Sequence, residues 1–336
     1  MRKVAKKSFN KLAEDHGTQK RAVLVLVVLS AVLAGVSFAS SRTTEPVRSV
    51  ATVKPVAKPV AKPKKPVESI QPKVTPGEVI RDITYCDGQL LDIYQPTNVM
   101  YLKSPVVMYV HGGGWTLNDK ASEPDQLQMI DGLRAHGFVV ASINYGKVPQ
   151  RFYPTAVAET LCAVRFLRAK AVDYSLDKNK IALYGFSAGG YLAAMAGTVP
   201  DDSSFETEEY KDYSSRVQAV VTLAGLFDFD EGLNAGNRQR ITNFMNGTSI
   251  ANAQPIEYVS SDDPSFMLVH GVDDQYVPLQ QDDLLIAKLN EHGVYNERLL
   301  VHHAEHGLNS TGLPPAPSRV EVANSMQKFI RETLKR

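Results

Sequence analysis

Gly185-Phe186-Ser187-Ala188-Gly189-Gly190 sets a serine among glycines, between the apolar Ala182-Leu183-Tyr184 and the helix-forming Tyr191-Leu192-Ala193-Ala194-Met195. A serine at a sharp strand-to-helix turn is strained, and small neighbours let strand and helix close in until the hydroxyl projects. A hydroxyl is a poor nucleophile at neutral pH and needs a base, an orienting acid and donors for the oxyanion that forms on attack. Candidates for all three are present. The apolar run 105–110 ends in His111-Gly112-Gly113-Gly114-Trp115, whose glycines let backbone N–H groups converge, so Gly113 and Gly114 are expected to donate to an oxyanion together with Ala188. Ser265-Phe266-Met267-Leu268-Val269 leads to His270 and then to Asp273 and Asp274, and the last apolar run ends at His302, His303 and His306. The chain order Ser, Asp, His is the one this kind of elbow requires.

Several of these residues have competing roles. Three imidazoles within 302–306 could suggest a metal site, but no matching Cys, Asp or Glu ligand pattern accompanies them, and no metal is expected. His111 and His270 sit at strand ends and are expected to brace loops. Trp115 and Tyr145 are candidates to line the substrate cleft. Trp115 directly follows the oxyanion glycines, so a large indole there would favour small acyl groups. Cys86 and Cys162 are too few for a disulfide framework, and Cys162 falls on the apolar face of a helix-like stretch, so two free buried thiols are expected.

The elements that must position these groups alternate. Strand-like runs lie at 106–110, 138–143, 181–184, 217–223, 266–269 and 298–301. Helix-like runs lie at 127–135, 157–169, 191–196, 284–290 and 320–334. An antiparallel pair at 79–85 and 90–94 precedes them. This pattern predicts an α/β domain over 77–336, a mainly parallel twisted sheet flanked by helices. The stretch 201–212 reads as an acidic loop, and the weakly patterned 227–256 as a small cap insertion.

The chain of 336 residues has 37 basic and 36 acidic side chains, but the near-neutral balance conceals two parts. Residues 1–76 hold 15 basic and 4 acidic residues, net +11; the remainder holds 22 and 32, net −10. A mildly acidic body is a poor holder of nucleic acid. Residues 1–21 are basic, and an almost uninterrupted apolar run follows at 22–39. At 1.5 Å per residue it spans roughly 27 Å, close to the hydrocarbon thickness of a bilayer. Segment 22–40 is therefore expected to be a transmembrane signal anchor that tethers the protein to the membrane with the following residues outside the cytoplasm. Ser37-Phe38-Ala39 also fits a signal-peptidase site, which would release a secreted product. Residues 41–76, with the near-repeat Lys54-Pro55-Val56-Ala57-Lys58-Pro59-Val60-Ala61-Lys62-Pro63, read as an extended linker.

With these motifs in view, the region 79–336 resembles the α/β-hydrolase superfamily, in particular bacterial carboxylesterases close to feruloyl and acetylxylan esterases and to hormone-sensitive-lipase-like enzymes. The resemblance rests on His-Gly-Gly-Gly-Trp at 111–115, Gly-x-Ser-Ala-Gly-Gly at 185–190, and Tyr258-Val259-Ser260-Ser261-Asp262-Asp263-Pro264 followed by His270-Gly271-x-x-Asp274-x-x-Val277-Pro278. It implies Ser187 as nucleophile. It selects Asp274, the fifth residue from that histidine, over Asp273 as the acid, and His306, which precedes a glycine, as the base. The implied activity is hydrolysis of short-acyl esters without metal or organic cofactor. Two departures stand out: Gly146 follows Asn144-Tyr145 where the family usually has arginine, and the cap has no clear counterpart. A prolyl-oligopeptidase-type peptidase shares the triad order but normally carries another large domain. A non-catalytic surface binding module would be marked by loss of a triad member, and none is missing.

Overall fold

The computed structural model describes residues 75–201, 203–205 and 207–335. The expected segments 1–21 and 22–40, and the linker up to residue 74, lie outside them. Eight strands form one sheet: β1 (Val79–Thr84), β2 (Leu90–Tyr94), β3 (Ser104–Val110), β4 (Val139–Ile143), β5 (Leu176–Phe186), β6 (Ala219–Leu223), β7 (Ser265–Gly271) and β8 (Asn296–Val301). Their order is β1-β2-β4-β3-β5-β6-β7-β8. β1 pairs antiparallel with β2, and β2 with β4. Every other pairing is parallel. Among the described residues six α-helices accompany them: α1 (Pro124–Asp131), α2 (Thr155–Ala169), α3 (Ala188–Thr198), α4 (Ala235–Met245), α5 (Gln280–Glu291) and α6 (Arg319–Thr333). This is the mainly parallel sheet flanked by helices expected from the alternation of runs, and it has the α/β-hydrolase architecture that the resemblance implied.

A parallel sheet is covered on both faces, which is why β3 reads as a continuous apolar run and is buried along its whole length. Alternate side chains feed two cores. Val106, Met108 and Val110 pack with α2 and α3, while Val107 and Tyr109 pack with α1 and α6. α3 is buried at every position, and its small residues let it lie close to the sheet; a Cβ on Gly197 would come within 2.7 Å of Val220. α6 is amphipathic instead: it starts with a capping box between Ser318 and Glu321 and buries Val322, Met326, Phe329 and Ile330 on one side. The cap region holds α4 and two short 3-10 turns, Ile250–Asn252 and Pro255–Glu257.

One expectation is corrected. Cys86 and Cys162 are not free thiols but form a disulfide, with a sequence separation of 76 and a Cα–Cα distance of 6.1 Å. Cys86 lies in the turn between β1 and β2, and Cys162 on α2, so the pairing depends on how the edge hairpin sits against that helix. Replacing both cysteines with alanine should lower the unfolding free energy by about 2–4 kcal/mol, because the closed loop is long. Equal denaturant midpoints for the variant and the oxidised parent would contradict this.

Candidate active site

β5 runs straight into Ser187, whose backbone is at φ 55° and ψ −118°. A residue with a side chain holds that conformation only where its surroundings impose it. The imposition is steric. A Cβ on Gly185 would lie 2.1 Å from the Gly189 carbonyl oxygen, and one on Gly189 would lie 2.0 Å from the Val110 carbonyl oxygen. The Ser187 N–H donates to the Leu223 carbonyl at 2.8 Å, which ties the elbow to β6.

His306 arrives on the loop after β8. That loop is zipped to the one after β7: Val272 N–H donates to Val301 O at 2.9 Å and Asp273 N–H to Ala304 O at 3.0 Å. Gly271 permits the approach, since a Cβ there would lie 2.4 Å from Ala304 O. In the result His306 Nε2 is 2.8 Å from Ser187 Oγ, and His306 Nδ1 is 2.7 Å from Asp274 Oδ2. Asp273, the rival acid, instead accepts from the Thr311 hydroxyl at 2.7 Å. The three residues selected from the sequence therefore form one hydrogen-bonded chain, and both ring nitrogens of His306 are committed to it.

Asp274 is buried and well supplied with donors. Its Oδ1 accepts from Tyr276 N–H and Val277 N–H at 2.8 and 2.9 Å. Burial pushes its carboxyl up, but hydrogen bonds from His270 and His306 outweigh it and hold the group well below the usual carboxylate range. Behind it, His270 does more than brace a loop. Its Nδ1 lies 3.0 Å from Asp282 Oδ1, and its Nε2 lies 3.0 Å from Val277 O and 3.3 Å from Asp274 Oδ2. Both ring nitrogens face oxygen acceptors, so both donate and the ring is an imidazolium.

The glycine loop 111–115, the candidate oxyanion loop, is held from three sides. Tyr145 Oη donates to His111 O at 2.9 Å and Gly112 O at 3.1 Å, and its ring stacks on His111. Gly112 N–H donates to Glu123 Oε2 at 2.9 Å. Gly113 O accepts from Thr116 and Leu117 N–H, a turn that needs φ 103° at Gly113 and leaves no space for a Cβ beside Leu117 O. Among the described residues, no acceptor takes the N–H of Gly113, Gly114 or Ala188. These groups border a cavity of about 280 Å³ that also contains Ser187 and His306. Burial pushes His111 down to about 4, which makes it a neutral ring.

One expectation about the cleft is revised. Tyr145 is buried and does not border the cavity; it is a strut beneath the glycine loop 111–115. Trp115 lines the cavity, but its side chain is fully buried, with the indole stacked on Phe244 at 4.5 Å and edge-on to Tyr191. Sequence reasoning missed Glu123, Asn118, Asn237 and Arg240, all of which line the cavity. Asn237 and Arg240 lie on α4, whose sequence has little apolar periodicity and so gave no signal.

The His270 cluster has a pH signature. Burial alone would push the imidazole down, but the bonds to Asp274 and Asp282 and their charges hold it up at about 10, against 6.5 ordinarily. A pKa raised in the fold stabilises it below the unfolded value and loses that stabilisation as pH rises through the folded value. Unfolding free energy should therefore fall by on the order of 2 kcal/mol between neutral pH and pH above about 10 in the parent. The decline should be much smaller in His270→Gln. Parallel pH slopes in urea titrations of the two proteins would refute the assignment.

Comparison with known proteins places this geometry in a family. The sequence profile of the BD-FAE family matches residues 91–289, more than half of the chain. The chain is 30% identical over 240 residues to Esterase LipQ of Mycobacterium tuberculosis, which covers 66% of this chain and 56% of that protein. It is 28% identical to Esterase LipC of the same organism, covering 62% and 54%. The chain thus spans about half the length of these curated relatives. Among solved structures, a truncated carbohydrate esterase from gut microbiota superposes with a TM-score of 0.66 at 21% identity, covering 80% of this chain and 99% of that one. A bifunctional GH43-CE protein of Bacteroides eggerthii superposes at 0.63 with 28% identity, covering 76% and 38%. The profile match spans the oxyanion glycines, Ser187 and Asp274, and with the sheet order and the elbow it establishes that the chain belongs to the BD-FAE family of α/β-hydrolases.

Proposed function

We propose that the protein hydrolyses carboxylic esters through an acyl-enzyme formed on Ser187. The observation that carries this reading is the continuous chain Ser187 Oγ, His306 Nε2, His306 Nδ1, Asp274 Oδ2, with bonds of 2.8 and 2.7 Å, opening into the cavity beside three uncommitted backbone N–H groups. His306 takes the serine proton as Oγ attacks the ester carbonyl and then returns it to the leaving alcohol. Asp274 keeps Nδ1 protonated and stabilises the imidazolium. Gly113, Gly114 and Ala188 N–H groups receive the oxyanion, in both acylation and the attack of water on the acyl-enzyme. The esterases among the relatives support the class of reaction.

The substrate preference proposed is for short acyl groups. The cavity is small, about 280 Å³, below the usual range of ligand cavities, which starts at about 300 Å³. Ser187→Ala, His306→Ala and Asp274→Asn should each lower kcat on p-nitrophenyl acetate by about 10⁴-fold or more with the fold intact, while Asp273→Asn should have little effect. Across acetate, butyrate and decanoate, kcat/KM should fall for the parent. Greater damage from Asp273→Asn would reject the assigned acid, a rise toward decanoate would reject the short-acyl reading, and binding without turnover would reject the enzyme.

We also propose that the hydrolase is tethered outside the cytoplasmic membrane by residues 22–40. The apolar run supports this, and so does the disulfide, since such bonds persist in oxidising compartments. Among the described residues, no helix is long and apolar enough to cross a membrane. Protein recovered from washed membranes should retain its N-terminal sequence and show no maleimide-reactive thiol. A soluble product starting near Ser40 would reject the anchor, and two reactive thiols would reject export.

A further inference from the structure

Arg240 projects from α4 into the same cavity as Ser187 and His306. Its side chain lies across two glycines: a Cβ on Gly114 would meet Arg240 Cδ at 3.1 Å and Nε at 3.4 Å, and one on Gly236 would meet Nη1 at 3.2 Å. Gly114 belongs to the oxyanion loop and Gly236 to the first turn of α4, so the guanidinium spans the gap between loop and cap. The residue is exposed, and among the described residues it has no hydrogen bond, ion pair or ring contact.

The other ionisable side chains at the cavity that could meet a charged ligand, and its asparagines, are already committed, which leaves the Tyr276 hydroxyl and the buried Trp115 Nε1 as the uncommitted neutral donors. Glu123 Oε2 accepts from Gly112 N–H and the Tyr109 hydroxyl, and its Oε1 accepts from Asn118 Nδ2. Asn237 Nδ2 donates to Tyr276 O. His306 is held between Ser187 and Asp274. The rim acids Asp273 and Glu305 border a neighbouring depression with Gln275 and Thr311, sharing only Tyr276 with this cavity. An uncommitted guanidinium is thus set beside a backbone donor of the oxyanion site, on a body of net charge −10.

We propose that Arg240 is a specificity residue that selects esters bearing a carboxylate a few bonds from the scissile carbonyl. This rests on the ester-hydrolase reading of Ser187. A guanidinium presents parallel N–H groups that match a carboxylate in a bidentate pair, and the acidic body offers no comparable binding elsewhere in the cavity. The carboxylate can belong to the acyl part, as in a dicarboxylic hemi-ester, or to the alcohol, as in an acylated hydroxy acid. The chemistry recognised is the same.

The experiment uses the full chain in a pH-stat with two matched pairs. Monomethyl glutarate is set against methyl 4-carbamoylbutanoate, its neutral amide isostere, for the acyl side. 3-Acetoxypropanoate is set against 3-acetoxypropanamide for the alcohol side. The parent should favour the acid over the amide in at least one pair by about tenfold in kcat/KM, the scale of one charge-assisted pair in a partly open site. In Arg240→Gln the ratio should collapse toward one, and in Arg240→Lys it should recover in part, with thermal unfolding unchanged in both. An acid-to-amide ratio near one in both pairs for the parent overturns the proposal while leaving the hydrolase reading intact. Equal losses for acid and amide in Arg240→Gln also overturn it, because the arginine would then act on the oxyanion or hold the cap. No turnover of any of the four esters, nor of p-nitrophenyl acetate, would sink the hydrolase reading itself.

Discussion

Three backbone approaches too close for a Cβ hold the site together. Gly189 lies against the end of β3, Gly185 against the first turn of α3, and Gly271 against the loop that carries His306. Each would place a methyl group within about 2.0–2.4 Å of a carbonyl oxygen. The first two leave Ser187 no relaxed conformation and hold its hydroxyl at the C-terminal end of the central strand β5. The third lets the acid and base loops zip together by backbone bonds, so that Asp274 and His306 meet without relying on long flexible side chains. Precision at a site of this kind comes from such rigid support.

Charge is stacked behind that geometry. Asp274 lies between His306 at the cavity and His270 in the interior, and His270 is in turn held by Asp282. Buried charges are costly unless paired and hydrogen-bonded, and here Asp274 and His270 each have partners on more than one side, whereas Asp282 meets His270 through Oδ1 alone. The arrangement keeps Asp274 ionised in a place where burial alone would favour its neutral form. It also links the acid to α5 through Asp282.

The cap is joined to the oxyanion loop by aromatic packing. Trp115 stacks on Phe244 of α4, and Tyr191 of α3 packs edge-on to both. Tyr153 and Tyr191 donate their hydroxyls to Asn252 O and Ala253 O. The same packing that holds the indole in the core fixes α4 beside the cavity, which is how a helix with weak apolar patterning brings Asn237 and Arg240 to it.

The glycine pattern around Ser187, the apolar runs and the order of Ser, Asp and His made the sheet, the elbow and the candidate nucleophile legible from sequence, because each depends on local periodicity or on residue types that only one backbone conformation tolerates; choosing Asp274 over Asp273 and His306 among three histidines took the family resemblance. What stayed illegible depends on packing between segments far apart in the chain. Cys86 and Cys162 meet only because the β1–β2 turn lies against α2. Tyr145 becomes a strut and Trp115 a core residue because of what lies opposite them, and nothing in their own neighbourhoods says so. His270 becomes charged through Asp274 and Asp282, one of them twelve residues away. Arg240 reaches the cavity only because α4 is clamped by rings from three other elements. Residue type determined what each of these groups could do, but only the tertiary structure decided what it faces.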